Sequence, residues 1–403
     1  MTLRWERFVK LRDEIETTLR GWHAYEAERG SAAVIDFDCA PTTAPTEPAT
    51  SRLAVYRRLA DLRARTVEAG ADRLTTRLTA DLAYLGALMG EHPPLGDYVR
   101  ATQGCAAVGW RDDYVAYRGD QARQALSALG VGWGSETVRE LRAVEGPIEA
   151  GEAPDAIRQA AADYETVVRQ ATGSQAPFNL TIETAEVDAY WAYWLDGSGD
   201  NVRLRLNLRR AGFTKVAARQ FALHEVLGHG LQSASWTARA AAQEVPWVRL
   251  MSVHAPQQVL LEGLAQALPL FVAPDDEQLV ARTKFDHYNQ LVRAELHIAL
   301  NQGAGIAELA ERARFRMPWT TEAAVADVLA DRGADPQLRS YLWAYPAGID
   351  WFANLAAADQ ATRTAALQAA YRDPLTPTDL ATLWPAGPAI GGQDASGSIT
   401  ASS

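Results

Sequence analysis

The sequence predicts a mainly α-helical fold with one small antiparallel β element, and three observations carry that expectation. Apolar residues recur at three- and four-residue intervals over most of the 403 residues, the spacing of a single helix face. Alternation of apolar and polar residues is confined to positions 178–208, which limits the strands to one short region. Directly after it, Phe221-Ala-Leu-His-Glu-Val-Leu-Gly-His-Gly-Leu-Gln232 places two imidazoles and a carboxylate within six residues of a helix-forming background.

Taken in order, residues 3–29 form an amphipathic helix with Leu3, Phe8, Leu11, Ile15 and Leu19 on one side and His23 at its boundary. Three prolines between 41 and 48 each remove a donor and restrict the preceding residue, so that stretch is a loop. Residues 50–90 give one or two further helices, and Glu91-His-Pro-Pro ends them, leaving His92 in a loop. Residues 95–175 are helical apart from breaks at Gly130-Val-Gly-Trp-Gly and Gly146-Pro147. The glycine run has no Lys-Ser/Thr after it and no strand before it, which excludes a phosphate-binding loop. Phe178-Asn-Leu-Thr-Ile-Glu-Thr and Val202-Arg-Leu-Arg-Leu-Asn-Leu both alternate, and with Gly197-Ser-Gly-Asp between them they predict a small antiparallel sheet. Asp188, Tyr190, Trp191 and Trp194 either line a pocket or pack there. A helix over 213–236 follows, with Thr214 as N-cap and Phe221, Val226 and Leu227 buried. His254, between Pro246 and Pro256, reads as a loop residue. Pro274-Asp-Asp-Glu starts a helix to about Leu300, with His287 on a solvated face and His297, between Leu296 and Ile298, at a core or cleft edge. Two helices meet at Pro318-Trp-Thr, and a Tyr- and Trp-rich helix over 337–358 is expected to pack over the cleft. The chain thus divides into a helical region 1–175, a site-bearing region 176–385 and a disordered tail 386–403.

Two imidazoles and a carboxylate are what a catalytic zinc site needs, two ligands and a general base. His224 and His229 are five residues apart, which on an α-helix turns them about 140° away from each other. They converge only if the helix carries an extra residue, as in a π-bulge, and Gly228 is the permissive position for it. The apolar stretch Val259-Leu-Leu-Glu-Gly-Leu-Ala-Gln-Ala-Leu268 holds one acid, Glu262. Acids in such helices are rare unless paired or metal-bound. His224, His229 and Glu262 are therefore the expected ligands of one Zn2+ per chain, with Glu225 as the base and acidic partners for the outer imidazole nitrogens.

The His-Glu-Val-Leu-Gly-His-Gly stretch resembles the zinc motif of the dipeptidyl peptidase III family, which also carries an extra residue before the second His. The wider pattern is similar to the gluzincin-type peptidases of domain of unknown function 885: Leu231-Gln232, Glu262-Gly263-x-Ala265, Arg293-Ala294 with Asn301 and Gly303, Trp319-Thr320, Arg339-x-Tyr341 and Pro346-Ala347-Gly348, in order over about residues 175–355. The chain departs from that family in having Leu227 where a Pro is usual, one His followed by Gly230 where two are usual, and Pro346-Ala-Gly-Ile with Trp351 or Phe352 in place of the later Tyr. The resemblance implies a large helical metallopeptidase-like fold and a late His, Tyr or Arg that stabilises the oxyanion, for which His297, Arg339, Tyr341 and Tyr345 are the candidates. It also implies that the sheet edge beside the metal can pair with an extended substrate.

Together these features predict a zinc hydrolase acting on a peptide or small amide substrate, with Arg339 or Arg293 available to fork a substrate carboxylate. Two alternatives are a metalloenzyme of the same fold doing proton abstraction, cyclisation or elimination on a small molecule, and an inactive helical binding protein. A net charge of −11 without a basic block excludes nucleic-acid and anionic-membrane partners. Two cysteines are too few for a disulfide scaffold. With no apolar leader pattern after Met1 and no long uncharged apolar window, the expected location is cytoplasmic. Nothing in the sequence specifies an oligomeric state.

Overall fold

The computed structural model describes residues 3–188, 192–209 and 212–392, and it is mainly helical with a small β-sheet. Helix α1 (Leu3–Glu28) buries Leu11, Ile15, Leu19 and Trp22, one face at three- and four-residue spacing. That face packs on α2 (Arg52–Glu68) and α3 (Asp72–Leu88) through Leu59, Leu62, Leu74 and Leu78. Ser51 caps α2 by accepting from the Ala54 amide. The proline-rich stretch between α1 and α2 is a loop, interrupted only by β1 (Phe37–Asp38) upstream of it. Helices α4 (Leu95–Thr102), α5 (Asp112–Ala128), α6 (Thr137–Glu145) and α7 (Ala153–Thr172) follow.

The sheet is mixed where a purely antiparallel one was expected. β3 (Tyr193–Ser198) and β4 (Asn201–Asn207) form the hairpin, while β2 (Asn179–Ala185) lies parallel to β4 on its other side. The physical reason is the turn: Gly199, at φ +64°, links β4 to the strand immediately before it, so the 178–184 run must approach from the opposite edge. β1 adds parallel to β3 and pairs antiparallel with β5 (Leu250–Met251), giving the order β2-β4-β3-β1-β5. Val202, Leu204 and Leu206 alternate inward from β4.

Helix α8 (Lys215–Phe221), capped by Thr214, continues into a π-helical segment (Ala222–Gly230) and then α9 (Leu231–Ala242). Leu223, Leu227, Leu231 and Trp236 from this rod join Leu260 and Leu264 of α10 (Gln258–Ala267), Leu268 just after it, and Trp351 and Phe352 in the main core. α11 (Pro269–Val272) leads to the long α12 (Glu277–Asn301), which Asp276 caps. The expected pair across Pro318 is α13 (Ile306–Arg316) and α14 (Glu322–Gly333). The single helix expected over 337–358 is two, α15 (Leu338–Tyr341) and α16 (Ala344–Leu355), with Pro346 in the first turn of the second, where it breaks no hydrogen bond. Helix α16 is buried against α10 along most of its length and reaches the cleft at its first turn, through Tyr345. The two cross at Gly263 and Gly348, where a Cβ on either would lie inside the other's backbone.

α17 (Gln360–Arg372) and α18 (Pro377–Leu383) close the described chain. The tail expected to be disordered from 386 is held at its start, because the Gly391 carbonyl accepts from the Val108 and Gly109 amides. Residues 393–403 lie outside the described part. Cys39 and Cys105 are buried free thiols. No helix among the described residues is long and apolar enough to cross a membrane.

Candidate metal centre

The π segment solves the spacing problem set by the sequence. The Leu231 amide donates to the Val226 carbonyl five residues back, and a turn of that size brings residues five apart onto one face. His224 Nε2 and His229 Nε2 consequently face each other at 3.2 Å. Gly228 serves this arrangement through space rather than through backbone freedom. Its φ is not in the left-handed region, but a Cβ there would meet the Leu223 carbonyl at 2.8 Å and the Ala265 side chain of α10 at 2.9 Å.

That close approach brings Glu262 in from α10. Its Oε2 lies 3.5 Å from His224 Nε2 and 3.7 Å from His229 Nε2. The other oxygen, Oε1, accepts from Tyr341 Oη at 2.5 Å, and Tyr345 Oη lies 2.8 Å from Tyr341 Oη. With Tyr341's one proton committed to the carboxylate, Tyr345 is the donor of that second bond. Glu262 Oε2 is buried and has no hydrogen-bond partner, a costly state for a carboxylate oxygen unless a cation faces it. The three ligand atoms are separated by 3.2–3.7 Å. A tetrahedral zinc with ligands at about 2.0–2.1 Å requires edges of about 3.3–3.4 Å, so the donor set fits the ion in chemistry and in size. Burial works to raise the Glu262 carboxyl, but the neighbouring His229 and His224 outweigh it and hold the group well below the usual carboxylate range.

Glu225 is the other acid close to the imidazoles, with Oε1 3.6 Å from His224 Nε2; one ligand atom each from His224, Glu225 and His229 falls within 4.8 Å of the others. The two acids are distinguished by what they face. Glu262 bridges both imidazoles and is fixed by Tyr341, whereas Glu225 lines an open cavity of about 380 Å3 together with His224 and Tyr345. Burial pushes the Glu225 carboxyl up to about 7, against the effect of His224 and with that of Glu262. The acidic partners expected for the outer imidazole nitrogens are absent among the described residues. The supporting hydrogen bonds go instead to Glu262.

The sequence candidates for an oxyanion donor separate cleanly. Tyr345 lines the cavity, and burial followed by the Glu262 charge keeps its hydroxyl protonated. Tyr341 is turned to Glu262. Arg339 is not brought to the site: it donates to Asn301 Oδ1 and the Pro93 carbonyl and lies over the Tyr98 ring. On a helix, residues two apart point about 200° away from each other, so α15 cannot offer both Arg339 and Tyr341 to one place. His297 is buried against Trp343 near Arg332 and Arg339, outside the cavity. A second cavity, about 790 Å3, lies along the sheet, lined by Arg20, Asp38, Trp194 and Arg203 and by none of the metal-centre residues. Trp194 therefore does line a pocket, though not this one; Asp188 is exposed, and Tyr190 and Trp191 lie outside the described residues.

Two other histidines differ from expectation. His287 is buried, not solvated, with Nε2 3.0 Å from Asp350 Oδ1, because α12 is covered there by α5 and α16. Tyr114 and Trp110 donate to the same carboxylate. His254 is a loop residue, as expected, but fully enclosed, 2.9 Å from Asp81 and stacked on Tyr84. Burial lowers the pKa of His254, His287 and His297; Asp81 and Asp350 oppose this at the first two, and Arg332 and Arg339 reinforce it at the third. A histidine whose pKa is depressed in the fold stabilises it above the unfolded value, near 6.5, and that contribution is lost as pH falls from there toward the lowered values. Asp36 and Glu225, both raised by burial to about 7, act with the opposite sign over the same range, so the check is a difference. The stability lost in His287→Gln should shrink between pH 7.5 and 5 by up to about 1.4 kcal/mol per pH unit in urea unfolding. A pH-independent difference would contradict burial of His287 as a neutral group.

No family model matches this chain, and no curated protein does. Among solved structures, one described as a putative lipoprotein from Colwellia psychrerythraea is similar in fold, with a TM-score of 0.54 and 14% identity. The match covers 82% of this chain and 58% of that one, so the chain spans less than two thirds of its neighbour's length. At that identity the likeness is one of fold.

Proposed function

We propose that this chain is a zinc-dependent hydrolase of a peptide or small amide bond, of the gluzincin type its sequence resembles. The observation that carries the reading is Glu262 Oε2, buried without a partner and aimed at two imidazole nitrogens that face each other. A metal held by His224, His229 and Glu262 would supply Lewis acidity and an activated water; zinc is favoured over manganese or cobalt at such a set. Glu225, on the cavity wall beside His224, takes the proton of the attacking water and returns it to the leaving amine. The water oxygen joins the acyl carbon as the C–N bond breaks. Tyr345 turns its one hydroxyl proton from Tyr341 Oη to the oxyanion when substrate is bound, and Tyr341 holds the Glu262 carboxylate in position.

The test is metal content by mass spectrometry on protein purified without added metal, wild type beside His229→Ala. About one zinc per chain, lost in the variant, is the expected result. An absence of metal from the wild type after zinc is supplied would overturn the reading.

A further inference from the structure

Helix α12 contributes one wall of the cavity that Glu225 lines, and that wall is unevenly satisfied. Arg282, at the far end, is paired with Glu145 at 2.7 Å and donates to Gln220. Asp286 accepts from the Gln220 amide at 2.8 Å. The next three polar side chains along that wall, Asn289, Gln290 and Arg293, have no such partners. Asn289 Oδ1, Gln290 Oε1 and Arg293 Nε are all buried and without a hydrogen bond. The nearest acid on the same helix face, Asp286, is two turns from Arg293, about 10 Å along the axis, and no ion pair within 4.0 Å joins them. The adjacent cation, Arg332, adds like charge rather than relief.

Arg293 is half-buried: its Nε is sealed from solvent while the residue lines the cavity, so its guanidinium, with no ion pair among the described residues, is presented there to a ligand's anion. Its fork matches a carboxylate in two parallel hydrogen bonds. The two free carboxamides beside it are donors and acceptors suited to a peptide unit. Phe213, Phe221 and Tyr193, packed edge-to-face on one another, form the apolar side of the same cavity. Its volume, about 380 Å3, is at the low end for ligand sites, and it admits a short acyl-amino acid rather than a long chain.

We infer that Arg293 binds the C-terminal carboxylate of the substrate, with Asn289 and Gln290 on the peptide unit next to it, so that the enzyme removes a carboxyl-terminal, preferably apolar residue. This rests on the hydrolase reading above and adds direction and substrate class to it. The carboxylate sits on the leaving amine, the bond cleaved is the amide immediately before it, and the products are a free amino acid and a shortened acid.

The probes are N-acetyl-Phe-Phe as free acid, the same dipeptide as C-terminal amide, and N-acetyl-Phe-Glu amide, which carries its carboxylate on a side chain. Binding is measured calorimetrically on zinc-loaded Glu225→Gln protein, alone and combined with Arg293→Gln or Arg293→Lys. The free acid should bind at least about tenfold more tightly than its amide, Arg293→Gln should bring the two within about twofold, and Arg293→Lys should keep part of the preference. The unfolding midpoint of Arg293→Gln without probe should stay close to or exceed that of its parent, since Arg293 makes no ion pair among the described residues and its Nε has no hydrogen-bond partner to lose; this shows that the variant is folded. Equal binding of acid and amide, or a preference that survives Arg293→Gln, would overturn the inference, and tighter binding of the Phe-Glu amide would overturn its C-terminal assignment. Wild-type turnover separates the two levels. Equal cleavage of acid and amide leaves the hydrolase and removes the carboxylate site, whereas Arg293-dependent binding of an acid that is never cleaved leaves the site and removes the hydrolase.

Discussion

Glu225→Gln is expected to retain one metal per chain and to lower kcat by about 10²–10⁴-fold. The carboxamide keeps the shape of the side chain and cannot accept the proton of water. It leaves the contacts of Glu262 with both imidazoles untouched. It also replaces a buried acid with a neutral group, so the unfolding midpoint should not fall. Metal analysis and single-turnover kinetics on the same preparation check this. Full activity would remove Glu225 from the reaction, and loss of metal would make it a ligand instead of a base.

The second large effect is expected at Tyr345. Tyr345→Phe removes a hydroxyl that lines the cavity and is hydrogen-bonded to Tyr341. A lost oxyanion donor typically costs about 10²–10³-fold in kcat, with metal content unchanged. Tyr341→Phe should behave differently, because its hydroxyl is bound to Glu262 Oε1. Removing a support of this kind weakens metal affinity about 10–100-fold. Competition with a calibrated chelator measures that change and kcat at saturating zinc isolates the other. If the two variants gave the same pattern, the division of labour between the tyrosines would be wrong.

Much of the centre was legible in the sequence because its parts are local. His224 and His229 lie within one stretch, and their five-residue spacing demanded the distortion that the π segment provides. Glu262 stood out as the one acid of an apolar helix, and Thr214 as a cap before an apolar run. The parts that escaped depend on distant partners. The sheet takes its central order from Phe37–Asp38, far from the alternating stretch, and no local pattern foretells that insertion. His287 looked solvated because the carboxylate that buries it, Asp350, comes from α16. Arg293 and Arg339 are indistinguishable as letters. Only the full set of neighbours reveals that one is engaged with Asn301 and Pro93 while the Nε of the other is left without a partner.

The backbone crossing of α10 and α16 at Gly263 and Gly348 makes a mechanical joint of two residues that chemistry would treat separately. Glu262 is the chain neighbour of one glycine, and Tyr345 precedes the other by three residues. Neither helix can slide or rotate without carrying its partner, so any shift that reshapes the cavity around Tyr345 also displaces the Glu262 carboxylate that faces the two imidazoles. The shape of the cavity and the position of the proposed metal ligand are therefore set by one and the same contact.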